Sequence, residues 1–137
     1  MLKGKTALVT GSTSGIGLGI ALSLARQGAN IVLNGFGDVE GPKGQVAALG
    51  VKVAYHGADM SKAAEIEDMM QFAAREFGQV DILVCNAGIL RDKTFANTTE
   101  ADWDLVVKVH LKGTYCCTMP VWKWLKDNGK PGVIVMT

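Results

Sequence analysis

The chain has 137 residues, a length that fits one domain with its own core, and its 48% hydrophobic content is dispersed: Gly15 to Ala25, the longest uncharged apolar-rich stretch, is too short to cross a bilayer. A formal net charge of +1 leaves no electrostatic case for nucleic acid or an anionic membrane surface as a partner. Lys3 and Lys5 run straight into the first apolar segment with no hydrophobic signal region or cleavage site, so a cytoplasmic protein is expected.

Thr6-Ala7-Leu8-Val9 reads as a short buried strand that enters Thr10-Gly11-Ser12-Thr13-Ser14-Gly15-Ile16-Gly17 and then a helical segment, Leu18 to Ala25. A strand, a glycine-rich turn and a helix in that order suit a nucleotide phosphate. Gly11 allows the tight turn, Gly15 lets the backbone approach a pyrophosphate with no Cβ in the way, and Gly17 lets the helix pack closely on the strand. The unpaired N–H groups at the helix start then face the phosphates. Glycine turns of this kind also occur without a ligand, so the motif alone leaves a purely structural role open.

The helix stops near Gln27-Gly28, and Asn30-Ile31-Val32-Leu33-Asn34 is a second buried strand. In dinucleotide folds the end of this strand meets the adenosine ribose, where a carboxylate holds the 2′-hydroxyl and a basic residue attracts a 2′-phosphate. Here the chain has Asn34-Gly35-Phe36-Gly37-Asp38, with Gly35 at the carboxylate position, Asp38 a few residues late, and no Arg or Lys before Lys43. The missing basic group favours NAD over NADP as cofactor. Phe36 either covers the adenosine or belongs to the core.

The polar turn Asp38 to Gly44, with Pro42 inside it, delays the next helix to Lys43–Leu49, and Val51 to Tyr55 alternates as a third strand. Asp59 precedes Ser61-Lys62-Ala63-Ala64-Glu65, which carries helix-capping signals, so Asp59 or Ser61 can cap the next helix. From Ala63 to Phe77 the residues Ile66, Met69, Met70, Ala73, Ala74 and Phe77 recur at helical spacing, with the Met pair as core filler. Gly78 ends that helix. Asp81 to Cys85 is a fourth strand leading into Asn86-Ala87-Gly88, where Ala87 and Gly88 let a ribose lie against the backbone and the Asn86 amide can tie neighbouring strands.

Ile89 to Phe95 is a loop at the carboxyl edge of the sheet, where such folds place substrate. Asn97-Thr98-Thr99 is a glycosylation sequon that reads here as the lead-in to a capped helix. Trp103, Val106, Val107, His110 and Leu111 continue through Tyr115, Met119, Trp122, Trp124 and Leu125 as one helical stripe, with Gly113 and Pro120 as points where it can bend. After the turn Asp127 to Gly132, Val133–Met136 reads as a fifth strand. This alternation implies an α/β fold of the Rossmann type: a doubly wound parallel sheet, order 3-2-1-4-5, in a three-layer α/β/α arrangement.

Cys85, Cys116 and Cys117 are an odd set in a chain whose pattern already supplies a core, so free thiols are expected rather than a disulfide scaffold. Cys116 and Cys117 point about 100° apart on a helix. His56 and His110 are the only histidines, and neither stands at ligand spacing from the cysteines, so no metal site is expected.

The spacing Gly11-x-x-x-Gly15-x-Gly17 behind Thr10, followed by Cys85-Asn86-Ala87-Gly88 after the fourth strand, resembles the short-chain dehydrogenase/reductase family. That family's second marker is Asn-Asn-Ala-Gly, and Cys85 stands in place of the first Asn. The resemblance covers the whole chain and implies a dinucleotide-binding domain over residues 1–137, the N-terminal half of an NAD-dependent oxidoreductase. It implies cofactor contacts at Gly11, Thr13, Ser14, Gly15, Ile16, Gly17, Phe36, Asp59, Met60, Asn86, Ala87, Gly88 and Val109. Within the family, Met1 to about Val84 looks most like 3-hydroxybutyrate dehydrogenases, notably in Gly11 to Ala21 and in Leu33-Asn34-Gly35-Phe36-Gly37. Asn86 to Lys93 and Val109 to Tyr115 look more like the 3-hydroxyacyl-CoA dehydrogenase units of multifunctional β-oxidation enzymes. Both imply oxidation of a 3-hydroxy group, on a free acid in one case and a thioester in the other.

The family's chemistry uses a Tyr as general acid/base, a Lys four residues after it, and a Ser that polarises the carbonyl. None of the three is expected in this chain: Tyr55 and Tyr115 have Asp59 and Met119 at the Lys position, and the Ser should come directly after the fifth strand, where the chain stops at Thr137. The family's Asn helper aligns with His110, which can join a proton-relay water or be a plain helix-face histidine. The expectation is the first half of a short-chain dehydrogenase, carrying cofactor binding without turnover. A natural NAD-binding regulatory module and an N-terminal piece of a multifunctional enzyme are the alternatives. The resemblance further implies a homo-oligomer formed through the helix at 99–125.

Overall fold

The computed structural model describes residues 1–137. Five strands, β1 (Thr6–Val9), β2 (Asn30–Asn34), β3 (Val53–His56), β4 (Ile82–Cys85) and β5 (Val133–Met136), form one parallel sheet in the order β3-β2-β1-β4-β5. The central strands are apolar without alternation because both faces of the sheet are covered; all four residues of β1 are buried.

Side chains leave each strand in alternation, and two cores result. On one face Ala7, Val9, Ile31, Leu33 and Val84 meet Ala21 and Ala25 of α1 (Gly15–Arg26) and Val46 of α2 (Glu40–Ala47). On the other, Leu8, Val32, Leu83 and Cys85 meet Ile66, Met69, Met70 and Ala73 of α3 (Ala63–Phe77). Cys117, Val121 and Leu125 of α5 (Gly113–Asp127) complete that second core. The layers are therefore helix, sheet, helix, as the alternation of elements implied.

Between α3 and α5 the chain forms α4 (Glu100–Val107), whose N-cap is Thr99: its Oγ1 accepts the Asp102 N–H at 3.1 Å. Lys108–Lys112 is a turn of π-helix that joins α4 to α5. The expected long helix is thus present from Glu100 to Asp127, but its irregularity lies just before Gly113 rather than at Gly113 or Pro120. Gly113 instead serves a close approach. A Cβ there would stand 2.8 Å from the Met60 carbonyl oxygen, so only glycine lets the helix pass so near.

Several local expectations are corrected. α2 starts at Glu40, not Lys43, because Pro42 falls in the first helical turn, where its missing N–H costs nothing. The Asp38 carboxylate, by sequence a late ribose candidate, accepts the Gly41 N–H at 3.3 Å and ties down that same turn. β3 begins at Val53 rather than Val51. Neither Asp59 nor Ser61 caps α3, whose N-cap residue is Lys62 with no side-chain bond.

Two apolar regions stay uncovered. Trp103, Leu111, Tyr115, Met119 and Trp122 are exposed along α4, the π-turn and α5, opposite the buried Val109, Cys117, Val121 and Leu125. Val133 and Val135, which pair with Ile82 and Val84 and so share the α1 side of the sheet, are exposed on β5. No helix is long and apolar enough to cross a membrane.

Candidate cofactor site

The carboxyl ends of β1, β2 and β4 open into a cleft of about 380 Å³. Its first wall is the turn after β1. Gly11 has φ +62°, and a Cβ there would press to 2.9 Å from the Ala87 Cα, so the turn and the segment after β4 touch through a glycine. Gly15 has φ +56° with open space where a Cβ would project. Gly17 is the opposite case: its Cβ would lie 2.0 Å from the Gly11 carbonyl oxygen, so this glycine serves the packing of α1 on the turn. The N-cap Ser14 makes no side-chain cap bond, and the N–H groups of Gly15, Ile16 and Gly17 find no acceptor in the chain. Open donors on the first turn of a helix, beside a glycine with free space, fit a nucleotide diphosphate.

The second wall follows β2. The Gly35 carbonyl accepts the Tyr55 hydroxyl at 2.6 Å, and Thr13 Oγ1 donates to the Phe36 carbonyl at 2.8 Å. With φ +147° and a Cβ position 2.5 Å from Thr13 Oγ1, residue 35 has no room for a side chain, so the carboxylate expected in many dinucleotide folds cannot stand there. Phe36 is 69% exposed at the rim, which removes the core reading. Asp59 is the only charged residue among those lining the cleft. Its Oδ1 accepts both the N–H and the hydroxyl of Ser61, at 2.8 and 2.7 Å, and these bonds hold its carboxyl below the usual range.

The third wall is Asn86-Ala87-Gly88 with Ile89 and Val109 behind it. Asn86 Nδ2 donates to the carbonyls of Thr10 and Gly11, both at 3.2 Å, and so ties β4 to the turn after β1 as its amide chemistry suggested. Gly88 leaves room for His110, whose ring carbon Cε1 lies where a Cβ would be 2.6 Å away. His110 Nε2 sits 2.9 Å from the Ile89 carbonyl and 3.0 Å from the Ile89 N–H, so its tautomer decides which of the two it bonds. His110 lines a neighbouring cleft of about 360 Å³ with Leu90, Arg91, Asp102, Trp103 and Val106, and Ile89 lines both clefts.

Of the residues expected at the site, Gly11, Thr13, Ser14, Phe36, Asp59, Met60, Asn86, Ala87, Gly88 and Val109 line the cleft. Gly15, Ile16 and Gly17 lie on the first turn of α1 beside it. Asn34, Ala58 and Ile89, which are not among the expected contacts, also line it, as does Gly35 at the position where sequence looks for a ribose carboxylate. Leu33-Asn34-Gly35 contained Asn34, but a buried strand end gives no sign of which way its last side chain turns. No group of three or more His, Cys, Asp or Glu residues is placed to hold a metal ion, and the three cysteines are free.

Residues 5–137 match the family model for short chain dehydrogenase. The chain is 56% identical over 120 residues to the D-beta-hydroxybutyrate dehydrogenase of Cupriavidus necator, covering 86% of this chain and 46% of that protein. It is 38% identical over 143 residues to the peroxisomal multifunctional enzyme A of Dictyostelium discoideum, covering 98% of this chain and 32% of that protein. The chain thus spans about half the length, or less, of these curated relatives. A crystal structure of a metagenomic short-chain oxidoreductase in complex with NADP superposes with a TM-score of 0.90 at 29% identity, over 98% of this chain and 62% of that one. The match runs through both the glycine turn and the segment after β4, and the chain belongs to the short-chain dehydrogenase family.

Proposed function

We propose that residues 1–137 form a dinucleotide-binding domain that holds NAD in preference to NADP, as the cofactor half of an enzyme oxidising a 3-hydroxy acid. The observation that carries this reading is the cleft itself, with open α1 amides at one end and the Asn86-Ala87-Gly88 backbone at the other. In it Gly15 and the α1 amides hold the diphosphate, Asp59 and Met60 bound the adenine, and Ala87 and Gly88 receive the nicotinamide ribose. NAD supplies the hydride acceptor. The preference for NAD is supported by a lining with no cation and one anion, which offers a 2′-phosphate nothing to pair with.

A free 3-hydroxy acid is supported by the 56% identity to D-beta-hydroxybutyrate dehydrogenase. A 3-hydroxyacyl thioester is the second reading, supported by the peroxisomal multifunctional enzyme, whose similarity extends over 98% of this chain. Proton transfer is assigned to residues outside this chain, since neither Tyr55 nor Tyr115 has a Lys four residues later. His110 joins the reaction, on this reading, by holding the Ile89 backbone at the junction of the two clefts. The test is turnover: the 137-residue chain, supplied with NAD and either 3-hydroxybutyrate or 3-hydroxybutyryl-CoA, forms no NADH. NADH formation by chain free of contaminating enzyme overturns the assignment of the proton-moving groups.

A further inference from the structure

Asn34 links two walls of the cleft through one buried side chain. It closes β2, which lies between β1 and β3, and it is 1% exposed. Its Oδ1 accepts the Gly11 N–H at 3.1 Å. Its Nδ2 donates to the carbonyls of His56 and Ala58, at 3.0 and 2.9 Å. Its backbone N–H donates to Ser12 Oγ at 3.0 Å, and its carbonyl accepts the Ser12 N–H at 2.6 Å. One buried amide therefore bonds the phosphate-side turn on one hand and the chain leading into Ala58-Asp59-Met60 on the other.

We propose that Asn34 is a positioning residue that sets the phosphate-side turn against the adenine-side wall, so that affinity for the adenosine diphosphate half of a dinucleotide depends on its side-chain amide. The proposal rests on the reading of the cleft as a dinucleotide site. A carboxamide presents one acceptor face and two donor hydrogens, and the surroundings present one N–H and two carbonyls. No other side chain of this size satisfies all three. An ionised carboxylate of the same shape has acceptors only, and its second oxygen would face two carbonyl oxygens in a buried place. Protonated Asn34→Asp therefore keeps the Gly11 bond and one of the two carbonyl bonds, so the two walls stay linked, and on ionisation it loses its only donor and the link with it.

The titratable groups around this amide are few. His56, whose carbonyl is one of the partners, turns its ring to Asp68 at 2.7 Å; Tyr55 bonds the Gly35 carbonyl; Asp59 is held by Ser61, with Glu65 accepting the Asp59 N–H. All are shared by the parent chain, so its own pH profile supplies the reference.

The experiment titrates ADP-ribose and NAD calorimetrically into the wild-type chain and Asn34→Asp between about pH 5 and pH 9, with circular dichroism recorded at each pH. The expected result is affinity within about threefold of wild type at the acid end and at least about tenfold weaker at the alkaline end, with the folded spectrum retained. A folded variant that follows the wild-type profile throughout overturns the proposal and leaves Asn34 a structural residue. If the variant does not fold, amide exchange in the wild-type chain decides. ADP-ribose slows exchange at the Gly11 N–H and at the Asn34 side-chain amide together on this account, and protection of Gly11 with no change at Asn34 overturns it. Absence of binding by the wild-type chain overturns the reading of the cleft and this proposal with it, whereas wild-type binding with a flat Asn34→Asp difference overturns this proposal alone.

Discussion

Thr10 and Asn86 are joined by two hydrogen bonds: the Asn86 N–H donates to Thr10 Oγ1 at 3.0 Å, and Asn86 Nδ2 donates to the Thr10 carbonyl at 3.2 Å. The same hydroxyl accepts the Ala87 N–H at 2.9 Å. The glycine turn and the Asn-Ala-Gly segment are thus one hydrogen-bonded unit although 76 residues separate these two partners. Thr10→Val keeps the shape and removes the acceptor of two amides. Urea unfolding is expected to show a loss of about 1–3 kcal/mol, most of it restored in Thr10→Ser. A valine variant as stable as the parent contradicts the shared role.

Gly15 and Gly17 separate binding from packing. Gly15→Val meets no protein atom but forces a branched residue to φ +56° and fills the space beside the open α1 amides, so NAD binding is lost while much of the fold persists. Gly17→Ala instead drives a methyl group toward the Gly11 carbonyl and costs about 2–4 kcal/mol of stability. Thermal melts paired with NAD titrations check both. A Gly15→Val chain that binds NAD normally contradicts the placement of the diphosphate.

The thiols should react in an order set by burial. Cys117 is 1% exposed, and burial pushes its thiol up to about 12; burial also raises Cys85. Cys116 is only half-buried. Iodoacetamide at about pH 8 followed by peptide mass mapping is expected to modify Cys116 first and the other two only in denaturant. Because the Cys117 value lies above its unfolded value of 9.0, its contribution to stability is complete below that pH and declines as pH rises toward 12. Rapid native labelling of Cys117 contradicts the packing of α5.

Strand order and most element bounds were legible because hydrophobic runs and glycine stops report directly on burial and chain reversal. What sequence did not reveal depended on where a polar group finds its partner. Pro42 read as a helix breaker, yet it sits in the first turn of α2, where no N–H is needed. Asp59 and Ser61 both read as candidate caps, and they bond to each other instead. Asn34 read as the end of an apolar strand, and nothing local tells that its amide spans from Gly11 to Ala58. Gly113 likewise read as a point where the helix can bend, and it answers instead to the close approach of the Met60 carbonyl, far earlier in the chain.

The exposed stripe of Trp103, Leu111, Tyr115, Met119 and Trp122, together with Val133 and Val135 on β5, predicts self-association. Leaving such side chains in water forgoes about 1.5–3 kcal/mol each, comparable in sum with the stability of a small domain. Light scattering over a concentration series is expected to show an apparent mass that rises with concentration. A compact monomer at high concentration that unfolds cooperatively contradicts this and favours a self-sufficient module.

On the proposed function, the cleft at the ends of β1, β2 and β4 takes an adenine dinucleotide and offers a 2′-phosphate no cation. Parallel calorimetric titrations of NAD and NADP into the same preparation of the 137-residue chain test it most directly. Saturable binding of one NAD per chain is expected, with NADP weaker by about tenfold or more, because the lining supplies no cation to a 2′-phosphate. Equal affinity for the two, tighter binding of NADP, or no binding of either contradicts it.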